Sequence, residues 1–454
     1  MNIISRVVSM CRAMLLAVCV AFMASCSNND YLNAIPSTAT ALVRISPTRL
    51  DSKAMESFTA LLPVDDLAES GIDRESDVFA FETVDGNFGL CAKVKSKSKL
   101  SDMLKSLASK GRCGSIRKQG DFILTDISNS WAIGASDNAL LVLGPVSAAA
   151  LPDAQRRLTR MLRQDEDASI LSRPIYAKVD SMKSAVAMVT QVQALPEKFI
   201  APFTIGAPKD ADASHVMLAV EFGKSDGIIK MSGETFSFNK QIDAALKKAN
   251  GVYRTIDDNF LHIVPENSLF GLFTNVDGKQ FLPLLQENKS MQALLAGMNT
   301  AIDFDNIIRS VNGNLVLVSS GLSADKLDMT MLAKVKNPAW TSDVDYWKQS
   351  CPAGSSITGN NGAWTYNSGD TQLKFGLADN TFYCTTYNAL AYAVLEGKSI
   401  KDILPSQITD SIKGHRMVML LNLRNIPTDG IMPQGFDSII KSILGDADTL
   451  MYAI

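Results

Sequence analysis

The sequence predicts an α+β protein made of two homologous domains, each an antiparallel sheet backed by helices. Three observations favour this fold class. Short segments recur in the same order along the chain, turn dipeptides separate apolar runs of strand length, and stretches with leucine at helical spacing lie between those runs. With 454 residues, 46% of them hydrophobic, the chain can bury sizeable cores, and its length predicts two or three domains.

Four segments of the first half recur in the second half. They are Ile35-Pro36 with Val264-Pro265, Val84 to Phe88 with Val311 to Leu315, Ala92 to Lys95 with Ala333 to Lys336, and Gly134 to Asn138 with Gly376 to Asn380. The separation is 229 and 227 residues for the first two pairs, and 241 and 242 for the last two. A separation that changes once is typical of a duplication with one insertion, which falls near residues 318–331.

The repeat divides the chain into four parts. We expect a signal peptide at 1–25, a lipidated cysteine and tether at 26–36, a first α+β domain at 37–250 and a second at 259–454. The second copy has no counterpart of the last hairpin and helix of the first copy. We therefore expect an unpaired strand edge in the second domain, for which a partner, the first domain or nothing are the open alternatives as cover. A longer native protein would also explain the missing counterpart.

Turn dipeptides mark the strands. Asp85-Gly86 and Asn312-Gly313 are sequences that type I′ hairpins favour, because both central residues of that turn take positive φ. Asp137-Asn138 and Asp379-Asn380 separate apolar runs, which predict strands at 131–135, 139–143, 372–378 and 381–386. These aspartates suggest a catalytic role, but tight turns between antiparallel strands explain them better.

Helices are predicted between the strand pairs. Residues 97–109 place Leu100, Leu104 and Leu107 on one helical face, and similar patterns predict helices at 278–295 and 240–248. Strands at 216–222 and 228–238 close the first copy. An apolar stripe after Pro47 is formed by Phe58, Leu61 and Leu62.

Cys26 is the expected lipidation site. Arg6 and Arg12 precede the apolar run Ala13 to Met23, which is too short to span a bilayer, and the small residues Ala24-Ser25 come directly before the cysteine. Cleavage there would leave Cys26 to carry acyl chains that tether the protein to a membrane. The alternatives are an ordinary cleaved signal or an N-terminal anchor helix.

The residues after Cys26 bear on location. Ser27 to Asp30 form a polar tether, and no aspartate directly follows the cysteine, a pattern that resembles lipoproteins of the outer membrane. We expect a lipid anchor in the outer membrane, with the protein either periplasmic or exposed on the surface. The sequence leaves the leaflet open.

Charge excludes one class of partner. Removing residues 1–25 takes two arginines from the 44 basic residues and leaves the 47 acidic residues, so the mature chain carries a net charge of about −5. A chain without a basic stripe has no electrostatic footprint for nucleic acid. We expect no nucleic-acid partner.

Seven cysteines are present. Cys11 and Cys19 fall in the signal peptide and Cys26 is the lipid site, while the body contains Cys91, Cys113, Cys351 and Cys384. Four cysteines outside the cytoplasm permit three pairings. The spacing favours disulfides Cys91–Cys113 and Cys351–Cys384, with free buried thiols as the open alternative. No Cys-x-x-Cys occurs, which removes zinc-ribbon and thioredoxin-type sites.

The lipobox at Cys26, the segment Tyr31 to Pro36 and the repeated Asp-Asn turn together resemble an uncharacterised family of Bacteroidetes lipoproteins, the domain of unknown function 4836. This resemblance implies export and a two-part α+β body. It implies no established activity and supplies no catalytic residues.

The sequence contains few motifs that are typical of catalytic, metal-binding or cofactor-binding sites. Gly223 to Gly227 matches Gly-x-Ser-x-Gly, but the following residues continue as a strand, whereas a nucleophile elbow needs a helix there. His215, His262 and His415 are scattered without metal-ligand spacing. No phosphate-binding loop or dinucleotide motif occurs, so no cofactor and no metal are predicted. Four tryptophans could stack on sugars, although Trp340 and Trp347 have the spacing of core residues on one helix face.

The predicted function is that of a non-enzymatic cell-envelope lipoprotein, which presents a binding or scaffolding surface to a protein or glycan partner. The alternative is a glycan-directed hydrolase whose carboxylates assemble between the two domains. A deep cleft with an acidic pair, one member of it desolvated, would favour the hydrolase. A shallow groove would favour the binding module.

Overall fold

The computed structural model describes residues 29–50, 52, 67–195, 200–225, 227–299, 302–321, 329–398, 400–425 and 447–454. Within them the chain has a mixed α/β fold, dominated by antiparallel strand pairs with helices between them. The predicted signal peptide, Cys26 and the stripe of Phe58, Leu61 and Leu62 lie outside the described residues.

Twenty strands are described. In chain order they are β1 (Ala41–Ile45), β2 (Val78–Glu82), β3 (Phe88–Lys93), β4 (Arg117–Gln119), β5 (Phe122–Ile127), β6 (Trp131–Ala135), β7 (Ala139–Gly144), β8 (Val186–Gln191), β9 (Met217–Ser225), β10 (Ile228–Phe236), β11 (Tyr253–Arg254), β12 (Phe270–Asp277), β13 (Val311–Ser319), β14 (Met329–Val335), β15 (Ser355–Asn360), β16 (Ala363–Ser368), β17 (Thr371–Ala378), β18 (Thr381–Thr385), β19 (Met417–Asn422) and β20 (Thr449–Ala453).

The α-helices of the described ranges are α1 (Lys97–Ser109), α2 (Leu151–Met161), α3 (Pro174–Asp180), α4 (Ile200–Phe203), α5 (Lys240–Asn250), α6 (Gly278–Glu287), α7 (Lys289–Met298), α8 (Phe304–Ser310), α9 (Val344–Ser350), α10 (Asn388–Glu396) and α11 (Ser406–Ile412). Short 3₁₀ helices, among them Asp30–Ala34 and Leu261–Ile263, join several of these elements.

Contacts between residues group the chain into two compact units. Of the described residues, the first unit takes in 29–40, 45–48 and 67–177, and the second takes in 41–44, 49–50, 52 and those that follow Ala177. The boundary passes through α3. The strands β8, β9 and β10, which the repeat assigned to the first domain, are grouped with the second unit.

The first unit is an antiparallel sheet in the order β4-β5-β6-β7-β3-β2. Helix α1 spans the predicted residues 97–109, and the side chain of Ser96 caps it by accepting a hydrogen bond from the Lys99 amide. Its leucines pack with Ile123, Ile133 and Leu140 of the sheet. Helix α2 packs on the sheet at Gly134, where a Cβ would stand 3.0 Å from a methyl group of Leu158.

The second unit contains a longer sheet. Its order is β15-β16-β17-β18-β14-β13-β12-β19-β20-β10-β9-β8, and every pair is antiparallel except the parallel pair β10 and β20. Strand β1 pairs with β8. One apolar cluster contains Trp340, Phe375 and Phe382 with residues of α6 and α8, and another contains Phe273 and Val418 with residues of α10 and α11.

The prediction of an unpaired edge in the second half is wrong. Strand β20 is flanked on both sides: Met451 lies opposite Leu420 of β19 and opposite Lys230 of β10. The strand that covers this edge is β10, which the repeat assigned to the first domain, and it joins in parallel. A pattern of consecutive hairpins does not reveal a parallel partner that lies more than 200 residues away.

Three of the four repeated segments occupy matching positions, whereas Val84 to Phe88 leads from β2 into β3 and Val311 to Leu315 begins β13. The order β15-β16-β17-β18-β14-β13 in the second unit matches β4-β5-β6-β7-β3-β2 in the first. The Ile170 amide donates to the carbonyl of Ile35 at 2.9 Å, and the Leu404 amide donates to that of Val264 at 3.0 Å. Likewise Val94 donates to Asn138 at 2.8 Å, and Val335 to Asn380 at 2.9 Å.

The predicted turns have mixed outcomes. Asp137-Asn138 and Asp379-Asn380 do join antiparallel strands, and φ is positive at both Asp379 and Asn380. Asp85-Gly86 lies in the β2–β3 connection, but only Gly86 has positive φ, so this is not a type I′ turn. Asn312-Gly313 is no turn at all, because it lies within β13 beside a register shift in the pairing with β14.

The single helix predicted for the segment after Asp277 is two helices in the structure. The stretch 278–295 forms α6 and α7, which are separated at Asn288. Asn288 has an extended backbone, with ψ of 119°, and its side-chain oxygen accepts a hydrogen bond from the Met291 amide at 3.1 Å. The residue therefore ends one helix and caps the next, as asparagine favours.

Candidate binding cleft

A cleft of about 260 Å³ lies in the second unit, at one end of three adjacent strands. It is lined by Gly233, Glu234, Asn250, Gly414, His415, Arg416 and Ile454. The middle strand β20 ends at Ala453, whereas its neighbour β10 continues to Phe236. The cleft lies between the far end of β10 and the segment that leads into β19.

Gly233 brings two strands close together beside the cleft. A Cβ at this position would lie 2.1 Å from the carbonyl oxygen of Ala219 on β9. Since real Cβ atoms do not approach an oxygen so closely, a larger residue would push β10 away from β9. Glycine keeps this wall of the cleft in place.

Glu234 is the acidic group of the cleft, and it is paired. Its carboxylate lies 2.7 Å from the ammonium of Lys178 on α3. The same ammonium lies 5.0 Å from the centre of the Phe236 ring, which is within the range of a cation–π contact. The pair leaves this wall with no net charge, while the exposed Glu234 retains carboxylate lone pairs for a hydrogen-bond donor.

His415 is the titratable group with a perturbed pKa in the cleft. Burial lowers its pKa below the ordinary value, and the positive charge of Lys230 on β10 lowers it further. The imidazole is therefore neutral at pH 7, with one nitrogen as donor and one as acceptor. Its backbone is fixed by the Ile256 amide, which donates to the His415 carbonyl at 2.8 Å.

Arg416 supplies an exposed positive charge beside His415. Its backbone amide donates to the carbonyl of Ile454 at 2.7 Å, and its carbonyl accepts from the Thr274 hydroxyl at 3.1 Å. Among the residues that the structure describes, no carboxylate forms an ion pair with its guanidinium. The backbone of Arg416 is therefore fixed by two hydrogen bonds, while none of the described ion pairs involves its guanidinium.

The described lining of the cleft combines one acidic, one basic and one imidazole side chain with the amide of Asn250. Its walls offer hydrogen-bond donors and acceptors without a serine, threonine or cysteine nucleophile. Across the described ranges, no group of three His, Cys, Asp or Glu residues is placed to hold a metal ion. The acid whose pKa is raised by burial is Glu82, on β2 in the first unit, and it lines no part of the cleft.

The predicted disulfides are not formed in the structure, where all four body cysteines are free thiols. Cys91 donates to the carbonyl of Tyr31, whereas Cys113 donates to that of Leu104 on α1, so these two thiols face different elements. Cys384 is buried in β18, and Cys351 is half-buried at the end of α9. The structure thus corrects both pairings in favour of free thiols.

The other residues singled out in the sequence lie apart. His215 and His262 are exposed and do not line the cleft. Gly223 to Ser225 lie at the end of β9, which pairs with β10 as a hairpin. Trp340, Trp347 and Trp364 are buried against one another, with the Trp340 and Trp347 rings stacked at 6.1 Å. These three tryptophans form core, as their spacing indicated, and offer no sugar platform.

Sequence reasoning missed Glu234, Asn250 and Arg416. Each lies in a different segment, and none belongs to a recognisable motif. Only His415 was singled out, and its setting in the sequence had no distinctive feature.

A family model described as "Domain of unknown function (DUF4836)" matches residues 57–439 of the chain. The match covers most of the sequence. The chain belongs to this family. The description assigns no activity to the family. Membership therefore does not establish a function, which has to be argued from the site.

Other comparisons add little. Three solved structures described as crystal forms I, III and IV of TP0453 resemble part of the chain, with TM-scores of 0.28, 0.28 and 0.29 and identities of 10%, 11% and 11%. They cover 42% to 43% of this chain and 73% to 76% of theirs. No curated protein matches the sequence. Within the described ranges, no helix has the length and apolar character to cross a bilayer.

Proposed function

We propose that this protein is a lipid-anchored, non-enzymatic binding module of a bacterial cell envelope, tethered through Cys26 and recognising a glycan or protein partner. The lipobox supports the anchor, and the resemblance to Bacteroidetes lipoproteins supports the outer membrane as its location. The single observation that carries the binding role is an open polar cleft with hydrogen-bonding walls and no nucleophile.

The body of the module derives from a duplication. The support is the matching order of six strands, together with the matching hydrogen bonds at Ile35 and Val264 and at Asn138 and Asn380. The hairpin β13–β14 has strands of nine and seven residues, against five and six in β2–β3, which supports an insertion near residues 318–331. Equal topology with unequal loops is the usual result of divergence after duplication.

The absence of a desolvated acid pair at the cleft argues against the hydrolase. Retaining and inverting glycosidases both need two carboxyl groups flanking the scissile bond. Among the described residues that line the cleft, the one side-chain carboxylate is that of Glu234, which is exposed and paired with Lys178. An enzyme of this class would need a second acid within about 5 to 10 Å of it.

The test compares binding with turnover in one preparation. The purified mature protein is applied to an array of envelope and host glycans, and the same glycans are incubated with it and assayed for new reducing ends. We expect retention of a subset of glycans without release of reducing ends. Steady release that is lost in Glu234→Gln would identify a hydrolase and overturn the proposal.

A further inference from the structure

The described chain enters the first unit at Asn29, a short distance in sequence after the expected lipid site. The side-chain amide of Asn29 donates to the Tyr176 hydroxyl on α3 at 2.9 Å, and its carbonyl accepts from the Leu32 amide at 2.8 Å. Tyr31 and Leu32 are 3% and 1% exposed. The Tyr31 hydroxyl donates to the Asp77 carbonyl at 2.6 Å. From Asn29 onward the chain is therefore part of the folded first unit.

The same segment recurs inside the second copy. At a separation of 229 residues, positions 28–36 (NNDYLNAIP) align with 257–265 (DDNFLHIVP). The hydrogen bond at the start of the segment recurs as well, from the Leu261 amide to the Asp258 carbonyl at 3.3 Å. In the second copy this segment lies in the middle of the chain, so its folded path there does not depend on a nearby chain end.

The second copy also has a counterpart of the lipid site. The same separation aligns Cys26 with Thr255. The Thr255 carbonyl accepts from the Asn275 side-chain amide of β12 at 2.7 Å. The next residue, Ile256, is 2% exposed, and its amide donates to the His415 carbonyl at 2.8 Å. The counterpart of the lipid site therefore lies against the second unit, with no spacer between them.

The length of the tether limits how far the first unit can stand from a membrane. Two residues, Ser27 and Asn28, separate Cys26 from Asn29. Three steps between consecutive Cα atoms span at most about 11 Å. When the acyl chains of Cys26 are in the bilayer, its backbone lies at the level of the headgroups. Asn29 is then held within about 11 Å of that level.

The surface next to the tether, which we call the anchor face, consists of Asn29, Asp30, Arg173 and Tyr176. The Tyr176 amide donates to the Arg173 carbonyl at 3.1 Å, so Arg173 lies one turn before the tyrosine that contacts Asn29. Asp30 and Arg173 are exposed and carry opposite charges, which gives the anchor face no excess positive charge for anionic lipids. Tyrosine is typical of membrane–water interfaces, where its ring and its hydroxyl meet different surroundings.

From these observations we propose that the phospholipid headgroups of the bilayer cover the anchor face, so that the first unit stands directly on the membrane. The acyl chains of Cys26 hold this contact, and headgroup charge does not. The inference rests on the proposed lipid anchor and on the proposed duplication, and it adds the surface that meets the membrane. Any partner of the protein must accordingly be reached from the membrane surface itself.

Two exposed basic residues of the first unit serve as matched probe positions. Arg173 belongs to the anchor face, whereas Lys118 lies on β4. The Tyr176 ring lies 6.3 Å from the Phe79 ring of β2, at the opposite end of the strand order from β4. Five strand spacings of about 4.8 Å separate β2 from β4, so Lys118 is about 24 Å from the side of the sheet that Tyr176 contacts.

Fluorescence quenching at these positions tests the proposal. The acylated protein, with Cys113→Ser and Cys351→Ser to remove the more accessible thiols, carries a fluorophore at Arg173→Cys or at Lys118→Cys. It is reconstituted on phosphatidylcholine vesicles that contain a lipid with a nitroxide on its headgroup. Because quenching falls steeply over the about 24 Å between the two positions, we expect at least about threefold stronger quenching at Arg173→Cys.

A longer tether is the matched control. About twenty glycine and serine residues inserted between Ser27 and Asn28 have a root-mean-square length of about 25 Å. This variant should stay on the vesicles, while its quenching at Arg173→Cys should fall to the level of Lys118→Cys. Equal quenching at the two positions before insertion, or quenching at Arg173→Cys that survives the insertion, would overturn the proposal.

Flotation of the vesicles separates this result from failure of the proposed function. A protein that does not float with the vesicles refutes the lipid anchor, and the membrane contact of the anchor face with it. A protein that floats but shows equal quenching keeps its anchor and refutes the anchor face alone. Cys26→Ser should neither float nor be quenched, and flotation of this variant would contradict the role given to the acyl chains.

Discussion

Arg44 is a buried arginine whose contacts hold a turn of the second unit. It is 1% exposed, and its guanidinium donates to the carbonyls of Asp180, Met182 and Ser184 at 3.0, 2.6 and 3.1 Å. The Glu221 carboxylate accepts from the Lys183 and Ser184 amides in the same turn. In a hairpin or helix these carbonyls and amides would form hydrogen bonds with other backbone groups. Here the side chains of Arg44 and Glu221 form those hydrogen bonds instead.

We predict that Arg44→Met lowers the free energy of unfolding by about 3 kcal/mol, because three carbonyls lose their donors in a buried site. The matched control is Arg49→Met. Arg49 is exposed and, within the described part of the chain, donates one hydrogen bond, to the Lys183 carbonyl at 3.2 Å, so its replacement should cost less than about 1 kcal/mol. Urea denaturation of both variants measures the difference, and equal losses would show that the buried contacts are unimportant.

The cysteines offer a second test at the scale of single residues. Burial raises the pKa of the Cys384 thiol to about 12 and raises that of Cys91 even further, so both stay protonated at pH 8. We expect a thiol reagent at pH 8 to label Cys113 and Cys351 in the folded protein, and Cys91 and Cys384 only after denaturation. Mass spectrometry of peptides gives the pattern. Cysteines that stay unlabelled in the denatured, unreduced protein would show that the predicted disulfides do form.

The same pKa shifts give a pH dependence. An unfolded cysteine loses its proton near its ordinary pKa of 9.0, whereas buried Cys384 keeps it up to about 12. The contribution of a buried thiol to stability is thus fully present below pH 9 and is lost between pH 9 and 12. Cys384→Ala should be destabilised overall, but should lose less stability across this window than the unsubstituted protein.

At the scale of elements, short-range signals were the reliable ones. The bounds of α1 and of β6 follow from leucine spacing and from the turn at Asp137-Asn138, which act over a few residues. Asn312-Gly313 shows where this reasoning fails. Gly313 has φ of 149°, in a strand with an irregular register, and a dipeptide that permits a turn equally permits a bulge.

The turn at Asp379-Asn380 can be tested by its backbone. Asn380 has φ of 58°, which asparagine tolerates and a β-branched residue does not. We predict that Asn380→Val lowers the free energy of unfolding by about 1–2 kcal/mol, whereas Asn380→Gly stays within about 0.5 kcal/mol of the original. Asn138→Val is the matched control, because φ at Asn138 is not positive. If thermal unfolding shows a greater loss of stability in Asn138→Val than in Asn380→Val, the argument from the positive φ of Asn380 is wrong.

At the scale of the whole molecule, the pairing of β20 with β10 was beyond the reach of the sequence. Parallel pairing leaves no turn signal, and the paired residues Lys230 and Met451 are separated by the whole second repeat. The cleft was hidden for a related reason, since its lining comes from four separate segments of the chain that only the tertiary structure brings together. Local patterns predict elements, and tertiary pairing decides which of them meet.

Hydrogen exchange measures that pairing. A strand with partners on both sides should exchange as slowly as the interior of the sheet. We expect the amides of Leu450, Met451 and Tyr452 to be protected about as strongly as those of Val418 to Leu420 on β19. Exchange of β20 within seconds, while β19 stays protected, would show that β10 does not cover this edge.

The proposed function depends on acylation of Cys26, and labelling of the protein in its own cells with an alkyne-bearing fatty acid tests it most directly. The account predicts that the mature protein takes up the label, that Cys26→Ser abolishes it, and that Cys19→Ser in the signal peptide leaves it intact. A protein that matures without label, or a label that persists in Cys26→Ser, would contradict the lipid anchor and the envelope location drawn from it.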